Sequence, residues 1–133
     1  VEDLKQLPSE TLPLFSEYGY NWQSADEFTK LIAKVLSIRK KYAGIITDPK
    51  PASFQVLEEH NGQVLAFGRS AEKGRKRIAV VGNMDFHHPQ MTATRPDTTR
   101  KTLTDLLTGK KLKLQDGWLK VQLDPGECLI FEY

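Results

Sequence analysis

A single cysteine, Cys128, in 133 residues rules out an internal disulfide, so the fold must rest on buried apolar surface. A cysteine count this low favours a cytoplasmic setting only slightly over a secreted or periplasmic one. No apolar run approaches the roughly 20 residues that a membrane span requires, so no membrane role is expected. Neither sign of charge dominates: 19 basic residues face 17 acidic ones, for a formal charge of +2. The basic excess of a nucleic-acid binder is missing, and no nucleic-acid partner is expected. The sequence opens with neither an initiator Met nor a charged stretch leading into an apolar leader. It therefore reads as a piece of a longer polypeptide, with any targeting signal upstream. What is present, 39% hydrophobic and 27% charged residues, is ordinary globular material. A chain of this length can bury about two thirds of its unfolded surface.

Two textures follow one another. Residues 1–23 carry Pro8 and Pro13 with Leu14, Phe15, Tyr18, Tyr20 and Trp22, and show no sustained period. Leaving these apolar side chains in water would cost about 1.5–3 kcal/mol for each one that could be buried, so they are expected to pack. Ser24 and Glu27 form a capping box that predicts a helix start. Phe28, Leu31, Ile32, Val35, Leu36 and Tyr42 then recur at three- and four-residue spacing, one apolar stripe along about five turns. Arg39, Lys40 and Lys41 suit the negative end of the helix dipole, and Gly44 and Pro49 mark the exit.

After Pro51 the runs shorten and become β-like. Ser53–Glu59 and Val64–Arg69 flank His60-Asn61-Gly62-Gln63, a hairpin signal. Ile78-Ala79-Val80-Val81 has the continuous apolar character of a central strand covered on both faces. Further runs at Met91–Arg95, Thr102–Leu107, Leu112–Gln115, Trp118–Leu123 and Cys128–Tyr133 are separated by Pro96-Asp97, Gly109, Asp116-Gly117 and Asp124-Pro125-Gly126. The expected fold is mainly β: an antiparallel β-sandwich of Greek-key type preceded by one long amphipathic α-helix. The expected division is 1–50 for the aromatic-rich segment with the helix, and 51–133 for the sandwich.

The order and spacing of several short motifs resemble the end of the α-amylase family of glycoside hydrolases. Leu31-Ile32 with Leu36-Ser37-Ile38-Arg39-Lys40-Lys41-Tyr42 is similar to the close of that family's last barrel helix, with Ile38 where a Leu often stands. Val64-Leu65-Ala66-Phe67-Gly68-Arg69 and Ile78-Ala79-Val80-Val81-Gly82-Asn83 resemble two of its C-terminal strands. Asp105-Leu106-Leu107-Thr108-Gly109 and Leu123-Asp124-Pro125-Gly126-Glu127 resemble two of its turns. The resemblance implies a non-catalytic accessory domain of an enzyme acting on α-glucans such as starch or glycogen. Its partner would be the catalytic (β/α)8 barrel of the same polypeptide, and α-glucan polysaccharide a second one. The alternative reading is a carbohydrate-binding module. The family's reaction needs two carboxyl groups about 5 Å apart, and in the family both lie upstream of the last helix. No catalytic residue is therefore assigned here, and no cofactor.

The remaining polar groups have plainer readings. Glu58 and Glu59 alternate across a strand and Asp26-Glu27 opens a helix, so neither pair forms a catalytic dyad. Asp85 with His87-His88 lacks a placed third ligand and reads as a surface loop, with no metal site assigned. Cys128 reads as a small hydrophobe. The basic runs at Lys73, Arg75, Lys76 and Arg77 and at Lys110, Lys111 and Lys113 read as solvated faces. Strand alternation turns Trp118, Lys120 and Gln122 away from Leu119, Val121 and Leu123. Trp118, Trp22 and Tyr20 are the carbohydrate-contact candidates, weighed against packing on a neighbouring domain.

Overall fold

The computed structural model describes residues 27–71 and 76–133. Tyr20, Trp22, Ser24, Lys73 and Arg75 lie outside the described residues. Contacts divide the chain into Val1–Lys30 and Leu31–Tyr133. Of the first unit, the described part is the opening turn of helix α1, Glu27–Lys41. The second unit contains the rest of α1, the short helix α2, Ala43–Ile46, and, among the described residues, nine strands.

The strands are β1 Phe54–Val56, β2 Glu58–Glu59, β3 Val64–Ser70, β4 Arg77–Asn83, β5 Gln90–Arg95, β6 Thr102–Thr104, β7 Lys111–Gln115, β8 Trp118–Leu123 and β9 Cys128–Glu132. They form two antiparallel sheets, β1-β3-β4-β9 and β2-β5-β8-β7-β6. The run β5-β8-β7-β6 is a Greek key: three consecutive strands, with β5 returning beside β8. Mainly β architecture and the antiparallel sandwich are as the sequence patterning predicts.

Alternation explains the core. Val64 and Ala66 of β3, Ala79 and Val81 of β4, and Leu129 and Phe131 of β9 meet Leu103, Leu112, Leu119 and Leu123 of the second sheet. Ala79, Val81, Leu123 and Phe131 are fully buried. Where the chain reverses, backbone angles open to few residues are supplied by Gly109 (φ 80°), Gly126 (φ 69°) and the Asp116-Gly117 pair (φ 52° and 81°).

Three local expectations need correction. Helical structure does not stop at Gly44, which lies inside α2. Ser53–Glu59 is not one arm of a simple hairpin: β1 pairs with β3, whereas β2, two residues on, pairs with β5 of the opposite sheet. Leu57, buried between them, marks the corner. The strand expected over Thr102–Leu107 ends at Thr104, because Asp105 caps a turn with its carboxylate.

That carboxylate is fully buried yet saturated. Asp105 accepts from the Leu107 N–H at 3.2 Å, the Thr108 N–H at 2.9 Å and the Ile130 N–H at 3.0 Å, and also from the Thr108 hydroxyl. It also forms an isolated β-bridge with Phe131 of β9. The two sheets are thus joined along both margins, at Leu57 on one side and at Asp105 on the other.

Candidate functional site

The two outer sheet faces differ in character. On the second sheet, the residues pointing away from the core include Glu58, Arg95, Lys113, Gln115, Lys120 and Gln122, all exposed, with Met91 the large apolar side chain exposed among them at 68%. This is the apolar-in, polar-out pattern of a sheet that faces water. On the first sheet, register places Phe54 beside Arg69 and Val56 beside Phe67, and Phe67 beside Val80, which neighbours Ile130. That outer face is therefore apolar across all four strands.

Helix α1 covers part of it. Ile38, Tyr42 and Ile45 are buried against Ile78, with Ile130 and Ile46 packed beside them. Tyr42 also donates its hydroxyl to Glu132 Oε2 at 2.9 Å. Arg69 ties the following segment down through bonds to the Asp48 carbonyl and, at 3.1 Å, to Ser53 Oγ. The cover is incomplete. A groove of about 250 Å³ remains between Val35, Ile38 and Ile46 of the helical segment and Phe67, Val80 and Ile130 of the sheet. Beyond it Phe54 is 46% exposed, Val56 71% and Leu65 48%, while Leu31 and Leu36 on α1 are 50% and 54% exposed. Much of the apolar stripe predicted for the helix is thus open; Ile38, outside that stripe, is among the residues that bury.

Trp118 lies on the outer face of the second sheet, opposite in direction to buried Leu119 and Leu123, as alternation predicts. Its ring is part-buried, with the His60 ring centroid 4.9 Å away and the Arg95 guanidinium 5.8 Å from the Trp118 centroid. Tyr20 and Trp22 fall outside the described residues, so Trp118 is the carbohydrate-contact candidate whose surroundings are defined.

The acidic and thiol groups are held by their neighbourhoods. Asp85 accepts from the His87 N–H at 2.8 Å and the His88 N–H at 3.1 Å, and contacts Gln90 Nε2 at 3.0 Å and His88 Nδ1 at 3.1 Å. These bonds, the one from His87 foremost, lower its carboxyl to about 2. Its oxygens are spent on its own loop. Among the described residues no group of three His, Cys, Asp or Glu side chains is arranged to hold a metal ion. Glu59 accepts from the Asn61 N–H at 2.6 Å, while Glu58 points to the opposite side of the strand. Burial, aided by the nearby Asp105 and Glu127 charges, pushes the Cys128 thiol up to about 11, so at neutral pH it stays protonated and unreactive.

Sequence reasoning missed two features. The exposed Phe54, Val56 and Leu65 were legible as apolar, but which face of the first sheet they share follows from register alone. Phe86, 71% exposed on the β4–β5 loop, sits in no apolar period and carried no signal.

The first sheet thus keeps an incompletely covered apolar outer face beside α1. The comparisons identify the kind of domain. Residues 54–130, more than half of the chain, match the family described as "Maltogenic Amylase, C-terminal domain", and the chain belongs to that family: it is a C-terminal domain of the α-amylase type. In structure it is similar to an α-amylase from Anoxybacillus, with a TM-score of 0.63 and 21% sequence identity. The match covers 84% of this chain and 23% of that α-amylase, so the chain spans about a quarter of the enzyme's length. No curated protein matches the sequence significantly.

Proposed function

We propose that this chain is the non-catalytic accessory region of an α-amylase-like enzyme acting on α-glucans, and that its sandwich docks on the catalytic barrel of the same polypeptide through the outer face of the first sheet. The observation that carries this reading is the contrast between the faces: apart from Met91 and Trp118 the second sheet is mainly polar outside, whereas the first exposes Phe54, Val56 and Leu65 around the groove beside α1. Exposed apolar area of this kind marks a surface that is covered in the working protein. Covering each such side chain contributes about 1.5–3 kcal/mol, enough in aggregate to stabilise both partners. The division at about residue 50 belongs to the same reading, with the helix as the end of the barrel and the sandwich beginning after Pro51. In the same reading Trp118, part-buried on the second sheet, adds a polysaccharide contact.

The test is a pair of lysine substitutions, Val56→Lys and Leu65→Lys, made in the 133-residue chain and in the full-length enzyme. Because both positions are exposed in the chain by itself, its melting temperature should hardly move. The full-length enzyme should melt several degrees lower and lose activity faster on heating. Equal stability of the substituted and unsubstituted full-length enzymes would contradict the docking.

A further inference from the structure

The β4–β5 connection, Met84–Pro89, holds Phe86 out in solvent at 71% exposure, yet the loop that carries it is tied down on several sides. Asn83, 3% exposed, donates through Nδ2 to the His88 carbonyl at 2.9 Å and the Asp124 carbonyl at 3.0 Å, and accepts from the Asp85 N–H at 2.9 Å. Asp85 binds the next turn of the loop through the His87 and His88 N–H groups. The Gly126 N–H donates to the Asp85 carbonyl at 3.2 Å, and the Met84 N–H to the Gln63 carbonyl at 2.8 Å. The ring has its own support. A Cβ placed on Gly126 would lie 3.1 Å from Phe86 Cδ1 and 3.3 Å from Cε1, so the ring rests close against the Gly126 backbone.

This is a preorganised aromatic rather than a stray one. Its loop also carries hydrogen-bonding groups: His87 and His88 are exposed, and so is Gln63, whose carbonyl anchors Met84. A ring flanked by imidazole and amide groups, with Met84 (53% exposed) adding apolar surface in the same loop, suits a sugar, whose C–H face stacks on the ring while its hydroxyls meet the polar groups. We infer that the Phe86 loop is an α-glucan contact, separate from Trp118, taking one or two glucose units of a longer chain. The inference rests on the reading that the parent enzyme acts on α-glucans.

Titration of the 133-residue chain with maltoheptaose, followed by amide shifts in ¹⁵N-labelled protein, tests it. The amides of the loop from Met84 to Gln90 should move, and Phe86→Ala should weaken binding about fivefold to tenfold, while Phe86→Tyr retains it. Unchanged affinity in Phe86→Ala overturns the inference. So does the absence of any shift in the loop at saturating sugar. If Phe86→Ala leaves sugar binding intact and instead lowers the melting temperature of the full-length enzyme, the loop is a barrel contact and the inference falls. Barrel docking is read separately, from the lysine variants of the first sheet, so either proposal can fail without the other.

Discussion

The Tyr42 hydroxyl donates to Glu132 across 90 positions of sequence, at 2.9 Å, and so fastens the end of α1 to the outer side of β9. Glu132 is drawn the other way by Arg100, at 3.4 Å. The ring of Tyr42 is buried beneath this bond, which makes it both a packing and a polar anchor.

Tyr42→Phe keeps the ring and removes the bond. A loss of about 1 kcal/mol is expected at neutral pH, or about 3–5 °C in melting temperature for a chain of this size. The pH dependence follows from both partners. The Tyr42 bond, ahead of Arg100, holds Glu132 below its ordinary value of 4.5. Its contribution is therefore complete above that value and is lost as pH falls through the lower folded one. Burial, then the bond to Glu132, raises Tyr42 above 10.0; that contribution is complete below pH 10 and is lost as pH rises through the higher folded value. Thermal melts from pH 3 to 11 should show the variant and the parent converging on the acid side. A gap that is constant across that range would contradict the assignment.

Gly68 lies where β3 passes under the last residue of the chain. A Cβ there would collide with Tyr133 Oη and lie 3.1 Å from its Cζ, and Tyr133 is 4% exposed, with Arg77 over its ring at 5.0 Å. Gly68→Ala should cost about 1–3 kcal/mol by overpacking. Because the closest clash is with the hydroxyl oxygen, adding Tyr133→Phe should restore part of the loss. A double-mutant cycle in urea measures it, and strictly additive effects would show that the two positions do not meet.

Asp105 offers a sharper test of polar burial. Asp105→Asn keeps the shape but turns an amide NH₂ towards N–H groups that previously faced carboxylate oxygens. The expected loss is on the order of 3 kcal/mol, seen as a lower urea midpoint at unchanged slope. A variant as stable as the parent would mean that the turn and β9 are held by other contacts.

These particulars also show what the sequence could reveal. Strand β8 was readable by its period-two alternation, β4 by its continuous apolar run and β3 and β9 as short runs between turns, and the reversals at Gly109, Asp116-Gly117 and Gly126 announce themselves by residue type. The corner at Leu57 was not readable, since nothing in Ser53–Glu59 marks a change of pairing partner; that choice is made by β3 and β5, which arrive later in the chain. The "D-L-L-T-G" turn was visible, but the second task of Asp105, receiving the Ile130 N–H, depends on a neighbour 25 residues away. For the candidate contacts the divide is similar. Trp118 was placed outward by alternation, whereas its two neighbours, His60 and Arg95, come from other strands and loops. Phe86 was hidden because a loop has no period to read.

The single residue at Leu57 has a mechanical consequence. One continuous extended chain passes from the helix-side sheet to the water-facing sheet there, and the Asp105–Phe131 bridge closes the opposite margin. With both margins fastened, the sheets cannot slide past one another as layers do in a shear motion. The two outer faces therefore keep their relative orientation as long as the Leu57 crossover and the Asp105–Phe131 bridge hold.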